Sequence, residues 1–240
     1  MGRIRETVVN LLFPTRAVCL CCGDPAGIEE EWLCDACMDR LAPRAHELRS
    51  GAWPEDGVSR VWFPLYYERP VSKLIWQFKY NGVYRLAPFL AACMGPVLAR
   101  LSSTDYDCLT PIPLHEKRLR ERGFNQAEVL ASYISRETGI PLDGRVRRAK
   151  NTSQQARLSK DARQANLQNA FECLASFSGK RVLIVDDVFT TGSTANSCAQ
   201  ALRRAGAADV QAVTLAASRY YRHHKAMIYR KKVAGNASEA

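Results

Sequence analysis

Residues 182–194, Val-Leu-Ile-Val-Asp-Asp-Val-Phe-Thr-Thr-Gly-Ser-Thr, constrain this chain more than any other stretch. A short apolar run bounded by polar residues is the pattern of a buried parallel strand. Open α/β sheets present ligands at the carboxyl ends of such strands. Thr190, Thr191, Gly192, Ser193 and Thr194 then bring backbone N–H groups and hydroxyls to the start of a helical pattern, which makes an anion site. Ionised Asp186 and Asp187 only accept hydrogen bonds, so they suit hydroxyl donors or the water shell of a metal. Vicinal carboxylates beside a phosphate cradle describe a site for a phosphorylated sugar. The plain alternative is a strand–turn–helix corner carrying a solvated Asp pair.

The rest of the chain repeats the strand–helix alternation. Val61 to Tyr67 reads as a strand, and Val71, Leu74, Ile75 and Phe78 fall at i, i+3, i+4 and i+7, a helix that stops near Asn81-Gly82. A second helix is expected over 83–101, a strand over 107–112, and a helix over 125–138 closed by Gly139. A short strand near Val146, a charged loop and a helix from about Ser159 to Phe171 follow. Strand 181–187, helix 193–205 capped by Gly206, and strand 209–216 complete the pattern. This order predicts an α/β fold, a parallel sheet with helices on both faces. The expected organisation is a helix and zinc ribbon over 1–42, a linker over 43–60, the α/β domain over 61–221 and a flexible tail over 222–240.

Cys19-x2-Cys22 and Cys34-x2-Cys37 are two knuckles whose four thiolates can close a tetrahedron around Zn²⁺, a structural ribbon. Cys21 lies inside the first pair and competes as a ligand in principle, but the regular spacing favours Cys19. Buried free cysteines and a redox pair are the other readings; a redox motif would need no second pair. Such a ribbon has too little apolar material to fold alone, so metal binding would supply its folding free energy. Nine cysteines without a secretory signal point to a reducing cytosol and a cytoplasmic protein. The longest apolar run, Phe89 to Ala99, contains Gly95 and Pro96 and falls far short of the ~20 residues of a membrane span. The formal net charge of +10 favours anionic partners, phosphates or nucleic acid.

Two basic segments complete the pattern. Residues 111–126 leave a strand end carrying Lys117, Arg118, Arg120 and Arg122, cations that suit pyrophosphate at a sheet's carboxyl edge; a solvated helix turn is the competing reading. Residues 147–166 read as a mobile charged loop. For DNA, Arg219, Arg222, Lys225 and the basic residues near the ribbon are the expected contacts, with no row of aromatics interleaved to stack bases.

The stretch 182–194 resembles the phosphoribosyl pyrophosphate signature of type I phosphoribosyltransferases; a haloacid-dehalogenase nucleophile would need Asp-x-Asp, absent here. Several further features, with the cysteine ribbon, resemble the ComF (GntX-like) competence-protein family over about 8–218. They are Pro-Ile-Pro-Leu-His at 111–115, Arg-Gly-Phe-Asn-Gln at 122–126, Thr-x-x-Gln-x-x-Leu-Ser at 152–159 and Phe78-Lys79-Tyr80-x-Gly82. The resemblance implies that Asp186 and Asp187 hold the ribose hydroxyls and that Thr190 to Thr194 hold the 5′-phosphate. It also implies that 111–122 forms the pyrophosphate loop, with Lys117, Arg118 and Arg122 neutralising pyrophosphate, and that 147–166 forms a lid. Mg²⁺ would ride on the pyrophosphate and ribose hydroxyls. The family's link to DNA uptake implies single-stranded DNA and a helicase-like protein as partners. In the competing reading the protein is a non-catalytic component of that machinery. The acceptor is not written in these residues.

Overall fold

A computed structural model of the chain describes residues 18–23, 33–49, 56–80, 86–148 and 170–219. The helix expected ahead of the ribbon, the loop 149–166, the start of the helix expected from Ser159, the Asn81-Gly82 stop and the tail lie outside the described residues. In chain order the elements are α1 (Asp35–Leu41), β1 (His46–Arg49), β2 (Arg60–Phe63), β3 (Leu65–Tyr66), α2 (Val71–Tyr80), α3 (Ala87–Ala92), α4 (Gly95–Leu98), β4 (Cys108–Pro111) and α5 (Glu116–Arg122). They continue with α6 (Gln126–Thr138), β5 (Val146–Arg148), β6 (Phe171–Cys173), β7 (Arg181–Phe189), α7 (Ser193–Arg204) and β8 (Asp209–Ala217).

The main sheet has the order β1-β2-β8-β7-β4, with β3 continuing β2's path beside β8. Every pairing in it is parallel except β1 with β2. Strand β7 lies in the interior, in register with β4 (Cys108 opposite Val182) and with β8 (Arg181 opposite Asp209). Its apolar run is covered on both faces, as an interior parallel strand requires. Val182 and Ile184 pack with Ala195, Cys198, Ala199 and Leu202 of α7. Leu183 and Val185 pack with Leu74, Ile75 and Phe78 of α2 and with Leu130 and Ile134 of α6. The expected helices on both faces are therefore present, on a sheet that is mostly rather than wholly parallel.

Four segments differ from expectation, each for a local reason. The strand expected over 61–67 is interrupted at Pro64, which has no N–H for the ladder. The helix expected over 83–101 is split into α3 and α4 at Gly95-Pro96, because proline removes a helical donor and clashes with the preceding turn. Residues 43–60, expected as a linker, contain the edge strand β1; the Val58 N–H donates to Asn196 Oδ1 at 3.1 Å, which fastens the segment to α7. Phe171, expected at a helix end, begins β6, which pairs antiparallel with β5. By contrast α6 begins and ends as expected. Asn125 caps it by accepting the Ala127 N–H at 3.1 Å, and Gly139 closes it at φ 74°. Asn125 also donates to the Ile112 carbonyl at 3.1 Å, tying the helix start to the exit of β4.

Candidate functional site

Successive residues of a strand point to opposite faces, so the two carboxylates of β7 diverge. Asp187 is buried and turns toward α2, where the Lys79 ammonium lies 2.7 Å from its Oδ2. Asp186 is half-buried on the side of α7, within electrostatic reach of Arg148 of β5 and Cys198 of α7. Its Oδ1 accepts the Asp187 N–H at 2.9 Å. Burial, and then the neighbouring charge of Asp187, push the Asp186 carboxyl up to about 7, while Lys79 and Arg148 pull the other way.

Immediately after β7, the chain turns through Thr190 and Thr191 and enters α7 at Ser193. Gly192 sits at φ 67°, a left-handed conformation that a side chain disfavours and that the tight entry into the helix requires. Thr191 Oγ1 lies 2.8 Å from Ser193 Oγ and accepts the Ser193 N–H at 3.4 Å. A small pocket is lined by Asp186, Val188, Phe189 and the whole run Thr190 to Ala195. The five residues expected to hold a phosphate thus face the same space as Asp186, at the N-terminus of a twelve-residue helix.

The basic segment after β4 is a helix, α5, and buries none of its residues. His115 caps it, its Nδ1 accepting the Lys117 N–H at 3.2 Å. Lys117 is exposed and Arg118 half-buried. Arg118 is close enough to Arg148 to help burial lower that guanidinium's pKa. Among the described residues, the Arg118 and Arg148 guanidiniums and the Asp186 carboxyl thus lie within electrostatic reach of one another at this corner. Arg122 is placed differently. It donates to Gln126 Oε1 at 3.0 Å and to the Tyr80 hydroxyl at 3.2 Å, and stacks 5.0 Å from the Tyr80 ring centroid. It fastens α5 to α2.

Lys79 was not singled out from the sequence as a site residue, although the Phe78-Lys79-Tyr80 motif was visible. Its neighbour Phe78 marks the buried stripe of α2, and a cation flanking that stripe was the available signal. An aromatic pair was missed as well. Trp76 and Tyr80, 52% and 57% exposed, lie one helical turn apart with ring centroids 5.8 Å apart. The full stack is not visible in the linear sequence because its third member, the Arg122 guanidinium over the Tyr80 ring, comes from another helix. Arg219, expected to contact DNA, is held by Glu68 at 2.8 and 2.9 Å and stacks on Tyr66; Arg222 and Lys225 lie outside the described residues.

The thiols of Cys19, Cys22, Cys34 and Cys37 all lie within 4.8 Å of one another. Cys22 and Cys34 are 3.7 Å apart, too far for a disulfide. A tetrahedron of Zn–S bonds near 2.3 Å has edges of about 3.8 Å, so the cluster fits Zn²⁺. Cys21 is not one of the four. Burial and the charge of Cys19 push its thiol up to about 11. Burial raises Cys19 too, but backbone hydrogen bonds from Cys22, Cys34 and Cys21 prevail and bring it to about 6. The first knuckle rests on α2: Lys73 donates to the Cys21 carbonyl at 2.7 Å and Gln77 to the Leu20 carbonyl at 3.3 Å. Among the described residues, no helix is long and apolar enough to cross a membrane.

A family model described as the phosphoribosyl transferase domain matches residues 120–235. Competence protein F of Haemophilus influenzae is 33% identical over 82% of this chain and 90% of its own length. A DNA utilization protein of Salmonella typhi is 34% identical over 81% of this chain and 82% of its own. Among solved structures, a purine phosphoribosyltransferase from Pyrococcus horikoshii is 20% identical over 52% of this chain and 70% of that one, with a TM-score of 0.37.

Proposed function

The chain belongs to the ComF competence-protein family of phosphoribosyltransferase-like proteins, and we propose that it binds phosphoribosyl pyrophosphate with Mg²⁺ at the carboxyl edge of β4 and β7. The observation that carries this reading is the single pocket shared by Asp186 and the Thr190–Thr194 loop, with Asp187 turned to the far side of the same strand end. Ribose hydroxyls are donors, and the carboxylates of Asp186 and Asp187 are the matching acceptors. The 5′-phosphate falls to the N–H groups and hydroxyls at the start of α7. Lys117 and Arg118, on the helix that follows β4, are the cations assigned to pyrophosphate, and the Arg118–Arg148 proximity gives that anion its electrostatic reward. Mg²⁺, keeping part of its water shell, would neutralise pyrophosphate. If the ligand is also turned over, these residues act by positioning and charge stabilisation, with no protein nucleophile.

Isothermal titration with phosphoribosyl pyrophosphate, with and without Mg²⁺, tests the binding. We expect saturable heat that grows with Mg²⁺. No heat at millimolar ligand would overturn the reading. Pyrophosphate release in the presence of a panel of nucleobases and amines then separates a transferase from a binding component.

One observation favours a second reading, contact with single-stranded nucleic acid, and the relatives are named for competence and DNA utilization. The Trp76–Tyr80–Arg122 stack lies exposed beside the basic helix α5. Base–aromatic stacking is worth about 1–3 kcal/mol per base, so Trp76→Ala should weaken oligonucleotide binding by that amount, on a log–log salt slope of about −0.7 per contacted phosphate. An unchanged affinity at low salt removes α2 from any nucleic-acid surface. The DNA-uptake role and a helicase-like partner remain parts of this second reading.

A further inference from the structure

We propose that Lys79 is the residue that makes this site selective for a sugar carrying a pyrophosphate at C1 over the same sugar 5-phosphate without it. The inference rests on the phosphoribosyl reading above and goes beyond it by assigning the selectivity to a residue outside the acidic signature, the phosphate loop and the basic helix.

Placement comes first. Leu74, Ile75 and Phe78 are fully buried, which fixes the rotation of α2 about its axis. The residues flanking Lys79 are each fastened to the junction of α5 and α6. The Phe78 carbonyl accepts from Gln126 Nε2 at 3.4 Å, and Tyr80 receives Arg122 through both its hydroxyl and its ring. Lys79 therefore stands between the acidic end of β7 and the segment that follows β4. Its side chain is 19% exposed, and its ammonium lies 2.7 Å from Asp187 Oδ2. By contrast Lys117, the lysine of the expected pyrophosphate loop, is exposed.

Chemistry supplies the rest. An ammonium has three N–H donors and no acceptor. One is committed to Asp187, which leaves two for anionic oxygens. In α-phosphoribosyl pyrophosphate the C1 pyrophosphate and the two ring hydroxyls lie on the same face of the sugar. A cation beside the carboxylate that accepts a ring hydroxyl is therefore beside the pyrophosphate as well. A plain ribose 5-phosphate offers Lys79 only a neutral hydroxyl at C1, for which the ammonium has no charge to neutralise. Lys79 would thus add to pyrophosphate binding, while for ribose 5-phosphate it only competes with the sugar for Asp187.

The test is the ratio of two dissociation constants in one preparation. Phosphoribosyl pyrophosphate with Mg²⁺ and ribose 5-phosphate are titrated against wild type, Lys79→Met, Lys79→Gln and Lys79→Arg. We expect Lys79→Met to weaken phosphoribosyl pyrophosphate at least tenfold and to leave ribose 5-phosphate unchanged or tighter. Lys79→Arg should keep most of the selectivity. Lys79→Gln gives the same ratio if the methionine variant does not fold. Equal weakening of both ligands, or no change in either, overturns the assignment and leaves Lys79 as a structural partner of Asp187. Wild type binding neither ligand overturns the phosphoribosyl reading itself, and the assignment with it.

Discussion

The cysteine cluster and the acidic end of β7 both gather ionisable side chains, yet they are supported by opposite means. The described knuckle residues add Cys19, Leu33, Cys37 and Leu41 to the core that includes α2, and little else. Two side chains of α2 reach up to carbonyls of the first knuckle. Four thiols within 4.8 Å of one another would repel as thiolates, and a bound cation is what would relieve that repulsion. At the sheet edge the support comes from the protein. Asp186 and Asp187 lie near the carboxyl end of β7, just past its pairing with β4, with Asp186 still opposite Thr214 of β8, and the strand's apolar residues are buried on both faces. Lys79 supplies the countercharge from inside the fold. The expected contrast is that a metal would help to build the first region, whereas a ligand would only be received by the second. Helix α2 belongs to both, docking the knuckle through Lys73 and Gln77 and the acidic pair through Lys79.

The largest effect should come from removing the metal. A structural zinc site in a small module is worth on the order of 10 kcal/mol of folding free energy. Cys34→Ser should reduce zinc from one ion per chain to near none and expose 18–41 to proteolysis, while the β7–β8–β4 sheet keeps its hydrogen-exchange protection. Metal analysis giving less than about half an ion per wild-type chain, purified reduced and without chelator, would break the contrast at its first term. Faster exchange in α2 of the Cys34→Ser protein would sharpen it, because it would mean that the knuckle also steadies Lys79.

At the sheet edge the expected losses are smaller. Asp186→Ala or Asp187→Ala should each weaken phosphoribosyl pyrophosphate by about 1–3 kcal/mol with the fold intact, since hydrogen bonds to charged groups are worth that much. Calorimetry finding both variants at wild-type affinity would remove the ribose assignment. Gly192→Ala forces a side chain into φ 67° at about 1–2 kcal/mol. We expect a lower melting temperature together with weaker phosphate binding, and a variant that melts earlier but binds normally would detach the loop from the ligand.

The smallest effect is on pH. Asp186 is pushed up to about 7 by burial and by Asp187. A carboxyl raised in the protein keeps its proton until the pH passes that value, and a hydroxyl donor needs the ionised form. Affinity should therefore rise several-fold as the pH is raised from about 6 to about 8, with a proton released on binding below neutrality. Asp186→Asn should flatten the profile relative to wild type; an unaltered profile would locate the titration in the ligand's phosphates.

Local chemistry explains which parts were legible beforehand. Strand β7 and the helix after it follow from an apolar run that stops at charged residues and restarts after a glycine. Helix α2 follows from four apolar residues at helical spacing, all of them buried. The two cysteine knuckles follow from metal-ligand spacing. The breaks at Pro64 and at Gly95-Pro96 carried their signals in the sequence, but each was outweighed by the apolar residues around it. Strand β1 had no such signal: His46, Glu47, Leu48 and Arg49 form a strand because β2 offers them an edge to pair with.

The sequence alone therefore determined the α/β alternation, the acidic strand end with its hydroxyl loop, and the grouping of the cysteines, since each rests on residues adjacent in the chain or separated by a fixed spacing. The tertiary structure decided which charge meets which. Lys79 reaches Asp187 because α2 packs on the face of the sheet to which Asp187 points, and Arg122 stacks on Tyr80 because α5 ends against α2. Pairings of this kind join side chains from elements that only packing brings together, and no spacing along the chain encodes them.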